Sequence, residues 1–176
     1  MLLEQIIKGC KSGDRKAQEQ LYATFASRLF GVCLRYASDH SEAEDMMQNG
    51  FIRIFRSIHK YKGEGAFEGW LVRVMVNQAI DQYRRRLKID HVHIDEPEAM
   101  ELVQELHDPM DIEHLLHMIT SLPEKYRLVF NLYAIEGFSH QEIAQKLNIT
   151  EGTSKSQLSR ARKWLREKIQ NEEIRL

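Results

Sequence analysis

Between Thr153 and Lys168 stand six cations, Lys155, Arg160, Arg162, Lys163, Arg166 and Lys168, against one acid, Glu167, a local formal charge of +5. Residues of these types bind polyanions: Lys and Arg neutralise phosphates, while Arg, Lys and Ser also reach base edges. Leu158, Ala161, Leu165 and Ile169 recur among them at three- and four-residue spacing. That spacing predicts a helix buried along those four residues and basic on the other side. A helix held at one face and presenting Lys, Ser, Gln, Ser and Arg at the other fits the DNA major groove. The competing reading is a solvated basic surface helix, and the residues just ahead weigh against it.

Those residues, FSHQEIAQKLNI from Phe138, have the grammar of a helix-turn-helix. Ser139 can cap a first helix with Glu142 completing a capping box, and Ile143, Ala144 and Leu147 give it a short apolar face. Asn148 falls four residues after Ala144, where the turn between crossing helices wants a left-handed backbone that Gly or Asn adopts most readily. Ile149 plugs the corner.

No other constellation offers covalent chemistry. No nucleophile elbow, phosphate loop or pair of catalytic carboxylates stands in a usable frame, so no enzyme is expected. His91, His93, His107, His114 and His117 crowd one region without a Cys partner or ligand spacing, so neither a metal nor a cofactor is expected. Cys10 and Cys33 fall on apolar faces of predicted helices and read as buried free thiols.

With 176 residues, 43% of them apolar, the chain has room for one ordinary domain or two small ones. The net charge of −1 conceals a partition: residues 1–90 carry +4, residues 91–112 carry −7 with no basic side chain, and residues 113–176 carry +2. Two mildly basic modules joined by an acidic tether are expected. The tether could reach about 70 Å when extended, enough to place its flanking modules on separate faces of a duplex. The apolar runs are too short for membrane insertion and MLLEQIIKGCKSGDRK lacks a signal-peptide core, so a soluble cytoplasmic protein is expected.

The elements that must position the basic helix are helical throughout. A short helix runs from Leu2 to about Lys11, and Asp14 caps a long one with Ala17, Leu21, Phe25, Leu29, Val32 and Tyr36 on its core side. A helix from Glu42 buries Ala43, Met47, Phe51, Ile54 and Ile58 and exposes Glu44, Asp45, Gln48 and Asn49. Gly50 within it costs about 1 kcal/mol relative to Ala, so a close contact either requires it or the site merely tolerates it. His59 to Gly65 is a loop with interleaved aromatic and basic residues, either an ordinary connection or a wrap for unpaired bases. The helix from Phe67 to Arg86 is apolar on more than one side and aligns Trp70, Arg73, Asn77 and Asp81. Asn77 is a satisfied core amide or, beside Trp70, Arg73 and the Arg84-Arg85-Arg86 cluster, a DNA contact. Helices from Asp111 to Thr120 and from Pro123 toward Tyr133 lead into the helix-turn-helix.

Three segments, SEAEDMMQNGFIRIFRSIHKY, FEGWLVRVMVNQAIDQYRRR and LPEKYRLVFNLYAIEGFSHQEIAQKLNITEGTSKSQLSRARKWLRE, in that order around an acidic tether, resemble the extracytoplasmic-function (ECF) sigma factors of bacterial RNA polymerase. The resemblance implies an all-α chain of two small helical domains, sigma region 2 (1–90) and sigma region 4 (113–176), with the linker threading along the polymerase. It implies that Asp45, Gln48 and Asn49 dock on the polymerase core. It further implies that Lys60, Tyr61 and Lys62, with Trp70, Arg73, Asn77 and Arg84, handle the melted minus-ten element. In the last helix Lys155, Ser156, Ser159 and Arg160 would face bases or nearby phosphates of the minus-thirty-five element, and Arg162 and Arg166 phosphates. Promoter DNA, core polymerase and an anti-sigma factor are the implied partners; a stand-alone helix-turn-helix regulator is the alternative. Ser154 stands where Val is commonest in that family and is expected to loosen packing under the recognition helix. Gln157 replaces a frequent basic residue, and Asn49 and Gly50 replace commoner acidic and β-branched ones.

Overall fold

A computed structural model describes residues 2–89 and 112–173 of the chain. Nearly all of the acidic tether, with His91, His93 and His107, lies outside them. The order is α1 (Leu3–Lys11), α2 (Arg15–Tyr36), α3 (His40–Ser57), one 3₁₀ turn (Ile58–Lys60), α4 (Phe67–Ile89), α5 (Ile112–Thr120), α6 (Glu124–Phe130), a π-helical turn (Asn131–Ile135), α7 (His140–Leu147) and α8 (Glu151–Glu173). Every regular element among the described residues is helical, so the protein is all-α. It divides into two compact units, residues 1–83 and 84–176.

In the first unit α1 and α3 both pack on α2. Asp14 starts α2 by accepting a hydrogen bond from the Lys16 N–H (3.1 Å), and Asp39 starts α3 by accepting one from the Glu42 N–H (2.8 Å). α3 therefore opens at His40, two residues earlier than its sequence suggests, because Asp39 takes the cap. The expected stripes of α2 and α3 are buried, save Phe25, which is half-buried with its ring edge-on to Phe67 at 5.9 Å. α4 buries Phe67, Leu71, Met75, Val76, Ala79 and Ile80. Gly50 is explained by close approach: a Cβ there would lie 2.1 Å from Met75 Sδ. Gly9 is tighter in kind, since its Cβ would lie 2.5 Å from the Cβ of the fully buried Ala17.

In the second unit α6 and α7 pack along α8, and α5 reaches it as well. Met118, Ile119, Leu122, Leu128, Val129, Leu132, Ile143, Leu147, Leu158 and Ala161 make the core. The buried Arg127 donates from Nη1 to the Thr120 carbonyl (2.7 Å), satisfying an acceptor at the end of α5. The expected apolar stripe of α8 runs out of cover: Leu165 is only half-buried and Ile169 is 37% exposed.

Both cysteines are buried free thiols. Burial pushes the Cys33 thiol up to about 12, against smaller opposing effects of a backbone hydrogen bond and Arg35; burial, then Asp14, raises Cys10. Because the folded Cys33 holds its proton more tightly than an exposed thiol at 9.0, its stabilising contribution is complete below pH 9 and is lost as pH rises toward 12. Native protein is expected to leave Cys33 unalkylated at pH 8 while unfolded protein reacts, as mass spectrometry would read. Of the two tight glycines, Gly9→Ala should cost about 1–3 kcal/mol, since a methyl on Ala17 has no rotamer to move. Gly50→Ala should cost less, because Met75 can repack and helix propensity returns about 1 kcal/mol. Urea midpoints of the two variants test that order.

Candidate nucleic-acid interface

The turn of the second unit is built from local hydrogen bonds. Ser139 Oγ accepts from the Glu142 N–H (3.2 Å) while Glu142 Oε2 accepts from the Ser139 N–H (2.8 Å), the reciprocal box expected from the sequence. α7 ends at Asn148, whose backbone is left-handed (φ 56°, ψ 46°) and whose N–H reaches the Ala144 carbonyl. Among the described residues it is the only non-glycine with positive φ. Thr150 Oγ1 then accepts from the Thr153 N–H (3.0 Å) and starts α8. Three short-range caps thus place the first turn of α8 before any long-range contact is counted.

Ser154, Leu158 and Ala161 turn inward, and Lys155, Ser156, Ser159, Arg160, Arg162, Lys163 and Arg166 lie exposed on the other arc. All six residues expected to meet DNA on this helix therefore share one surface. Lys163 falls within it as well. The Ser156 hydroxyl donates back to the Thr153 carbonyl (3.0 Å), leaving its lone pairs outward as acceptors. Two cations lean on their own unit: Arg160 Nη1 is 3.5 Å from the Tyr126 hydroxyl, and the Arg162 guanidinium lies 5.7 Å from the Tyr133 ring centre. Glu167 is paired with Lys163 at 3.8 Å, which mutes the single acid.

Ser154 departs from expectation. It does not loosen the helix but is 0% exposed, and a 2.9 Å hydrogen bond joins its hydroxyl to His140 Nδ1. The His140 ring in turn stacks on Tyr133, centroids 4.5 Å apart and planes inclined by 21°. A hydroxyl under the helix is thus satisfied rather than orphaned. Sequence alone gave no sign of the partner, which lies fourteen residues away on another helix.

In the first unit the loop after the 3₁₀ turn is shaped by Gly63 and Gly65, at φ +83° and +77°. Lys60 and Lys62 are exposed. Tyr61 is half-buried: its ring packs against Phe67 (5.0 Å) and Trp70 (5.7 Å), its hydroxyl donates to the Gly65 carbonyl (2.8 Å), and its own carbonyl accepts from Lys11 Nζ (2.7 Å). Phe67 and Trp70 stack at 5.8 Å, so the loop closes over an aromatic platform. Arg73 is exposed and Asn77 half-buried on the same line of α4. Asp81 completes that line but is held by Arg53 of α3 at 2.5 Å, which assigns it to structure. Arg84, in the last turns of α4, opens the second unit instead, and its Nη2 donates to the Gln145 carbonyl (3.2 Å).

On α3, Asp45, Gln48 and Asn49 are exposed beside Glu44. Sequence reading missed Ile52, 48% exposed on the same side. Its signal was available: it is the apolar residue out of phase with Ala43, Met47, Phe51, Ile54 and Ile58. Among the described residues no group of three or more His, Cys, Asp or Glu could hold a metal ion, and no helix is long and apolar enough to cross a membrane.

Two small helical units, one ending in a helix-turn-helix with an exposed basic helix, define a DNA-binding protein of the helix-turn-helix class. Residues 21–89 match the model for sigma-70 region 2 and residues 112–165 the model for sigma-70 region 4. The chain is 33% identical to the ECF RNA polymerase sigma factor SigE of Mycolicibacterium smegmatis over 89% of its own length, and spans 64% of that protein. It is 28% identical to the ECF RNA polymerase sigma-E factor of Haemophilus influenzae, covering 95% of each chain. Among solved structures it shares the fold of the sigma factor RpoE from Bartonella quintana, crystallised with the anti-sigma factor NepR, at a TM-score of 0.53 and 23% identity over 86% of this chain and 96% of that one. The chain belongs to the sigma-70 family, in its ECF group.

The left-handed residue offers a direct check on the turn. Asn148→Ala should cost about 1–2 kcal/mol, whereas Asn148→Gly should be close to neutral. Urea unfolding of both variants would read the difference, and equal losses would contradict a conformational role.

Proposed function

We propose that this chain acts as the promoter-specificity subunit of a bacterial RNA polymerase, binding the core enzyme and directing it to promoters marked by two short elements. The observation that carries this reading is that two separate units each present a surface suited to a different form of DNA. The exposed basic arc of α8 suits duplex, with Lys155, Ser156, Ser159 and Arg160 toward bases of the minus-thirty-five element and Arg162 and Arg166 on phosphates. The aromatic platform under Lys60, Tyr61 and Lys62, continued by Trp70, Arg73 and Asn77, suits single strand: a melted minus-ten base needs a stacking surface and cations for its phosphates, and Arg84 further along α4 is an additional cation. A stand-alone regulator would have no use for that second surface.

The exposed face of Asp45, Gln48 and Asn49 serves as the contact with core polymerase, with Ile52 supplying an apolar anchor amid polar residues. The chain works in the cytoplasm and does no covalent chemistry of its own, leaving RNA synthesis to the polymerase. An anti-sigma factor is the expected negative regulator, as the Bartonella relative's complex with NepR suggests by kinship.

Transcription of a fragmented genomic template by core polymerase, with and without the protein, is the test. New starts sharing two upstream elements are expected; no new starts, with the protein still binding duplex fragments by itself, would reject the proposal in favour of the stand-alone regulator. Within that assay Arg160→Ala should cost about 1–3 kcal/mol and change preference at the upstream element, while Arg166→Ala should weaken all promoters alike. Asp45→Lys should lower affinity for core polymerase without altering which starts are chosen.

A further inference from the structure

A recognition helix must be held at a fixed tilt, because base-edge hydrogen bonds form only over a few tenths of an ångström in length. A change of about 5° pivoting at Ser154 would carry Arg166, twelve residues on, by about 1.5 Å. The apolar contacts of Leu158 and Ala161 set the approximate crossing of the helix but are non-directional. The chain supplies directional contacts in addition. One is the Ser154–His140 hydrogen bond in the first turn and a half of α8; the other is the Arg162 guanidinium over Tyr133. Ser154 and Arg162 are eight residues apart, about 12 Å along the helix. Both contacts converge on one stacked pair, since His140 lies flat on Tyr133 at 4.5 Å. One anchor would leave a pivot; two anchors 12 Å apart on a common base hold an angle.

We propose that His140 and Ser154, together with the Tyr133 ring on which His140 stacks, form a positioning device that sets the tilt of α8, so that residues 140 and 154 determine upstream-element preference without reading bases themselves. This rests on the assignment of α8 to the minus-thirty-five element. The design follows from the burial of Ser154: a hydroxyl there needs a partner, and His140 Nδ1 on α7 supplies it at 2.9 Å, a distance a tilt of α8 would change. An apolar residue at 154 would fill space but accept a range of tilts. The device therefore exchanges some tolerance for a defined geometry, as buried polar pairs do when they specify register.

The experiment is a double-mutant cycle of Ser154→Val, His140→Phe and the two combined, in full-length protein with core polymerase, on a library of promoters randomised in the upstream element. Phe keeps a ring on Tyr133 while removing Nδ1. Each single variant should lose about tenfold on the preferred element, because it leaves one polar group without its partner, and should change the rank order of elements. The double variant should recover most of the overall activity yet keep an altered and broader ranking. Thermal unfolding run alongside confirms that each variant is folded at the assay temperature, and a purely structural role would leave the ranking unchanged. Identical rankings in wild type and Ser154→Val overturn the proposal. So do strictly additive losses that weaken all elements alike, the result expected if His140 merely touched a phosphate. The wild type separates this failure from that of the underlying assignment: if it shows no upstream preference, α8 does not read that element.

Discussion

The crossing of α7 and α8 depends on a single residue whose backbone turns the wrong way for an L-amino acid. Asn148 sits in the left-handed region, and the chain reverses there between two capped helices. If that turn opens, α7 no longer packs on the buried side of α8, and the basic arc of α8 loses its fixed aspect. A helix as short as α7 does not hold together in water alone; it forms because packing on α8 covers its apolar face. The caps choose where the helices begin, the turn chooses how they cross, and burial supplies the free energy.

The first unit solves a different problem with similar means. The loop after the 3₁₀ turn takes its order from aromatic rings. Tyr61, Phe67 and Trp70 pack on one another, two glycines let the chain fold over them, and the Lys11 ammonium ties the loop back to α1. Tyr61 thereby spends most of its surface on the platform, leaving Lys60 and Lys62 as the outward groups. On α3 the same economy puts an apolar stripe inward and an acid-and-amide face outward, with Arg53 diverted to neutralise Asp81.

The small second core also buries the polar side chains of Arg127, Asn131 and Ser154. Arg127 serves the carbonyls at the end of α5, and Ser154 meets His140. Such groups add little net stability, but leaving one without its partner is costly. They therefore favour one arrangement of helices over near alternatives.

Much of this was legible in the residues. Helix periodicity marked the stripes of α2, α3, α4 and α8, and short-range chemistry marked Ser139 with Glu142, Asp14 and Asn148, because caps and turns depend on neighbours within four residues. The basic arc followed from charge and helical phase alone. What tertiary structure decided was everything that depends on residues far apart in sequence. Gly50 makes sense only once Met75 lies against it, and Asp81 is set apart from Trp70, Arg73 and Asn77 only because Arg53 arrives from α3. Ile169 loses its cover where packing thins, and Ser154 changes from an expected weakness to half of a buried pair when a histidine fourteen residues earlier meets it. Periodicity tells which side of a helix is apolar; it carries no information about which side chain on another helix will stand opposite, since that is set by the packing of the whole unit.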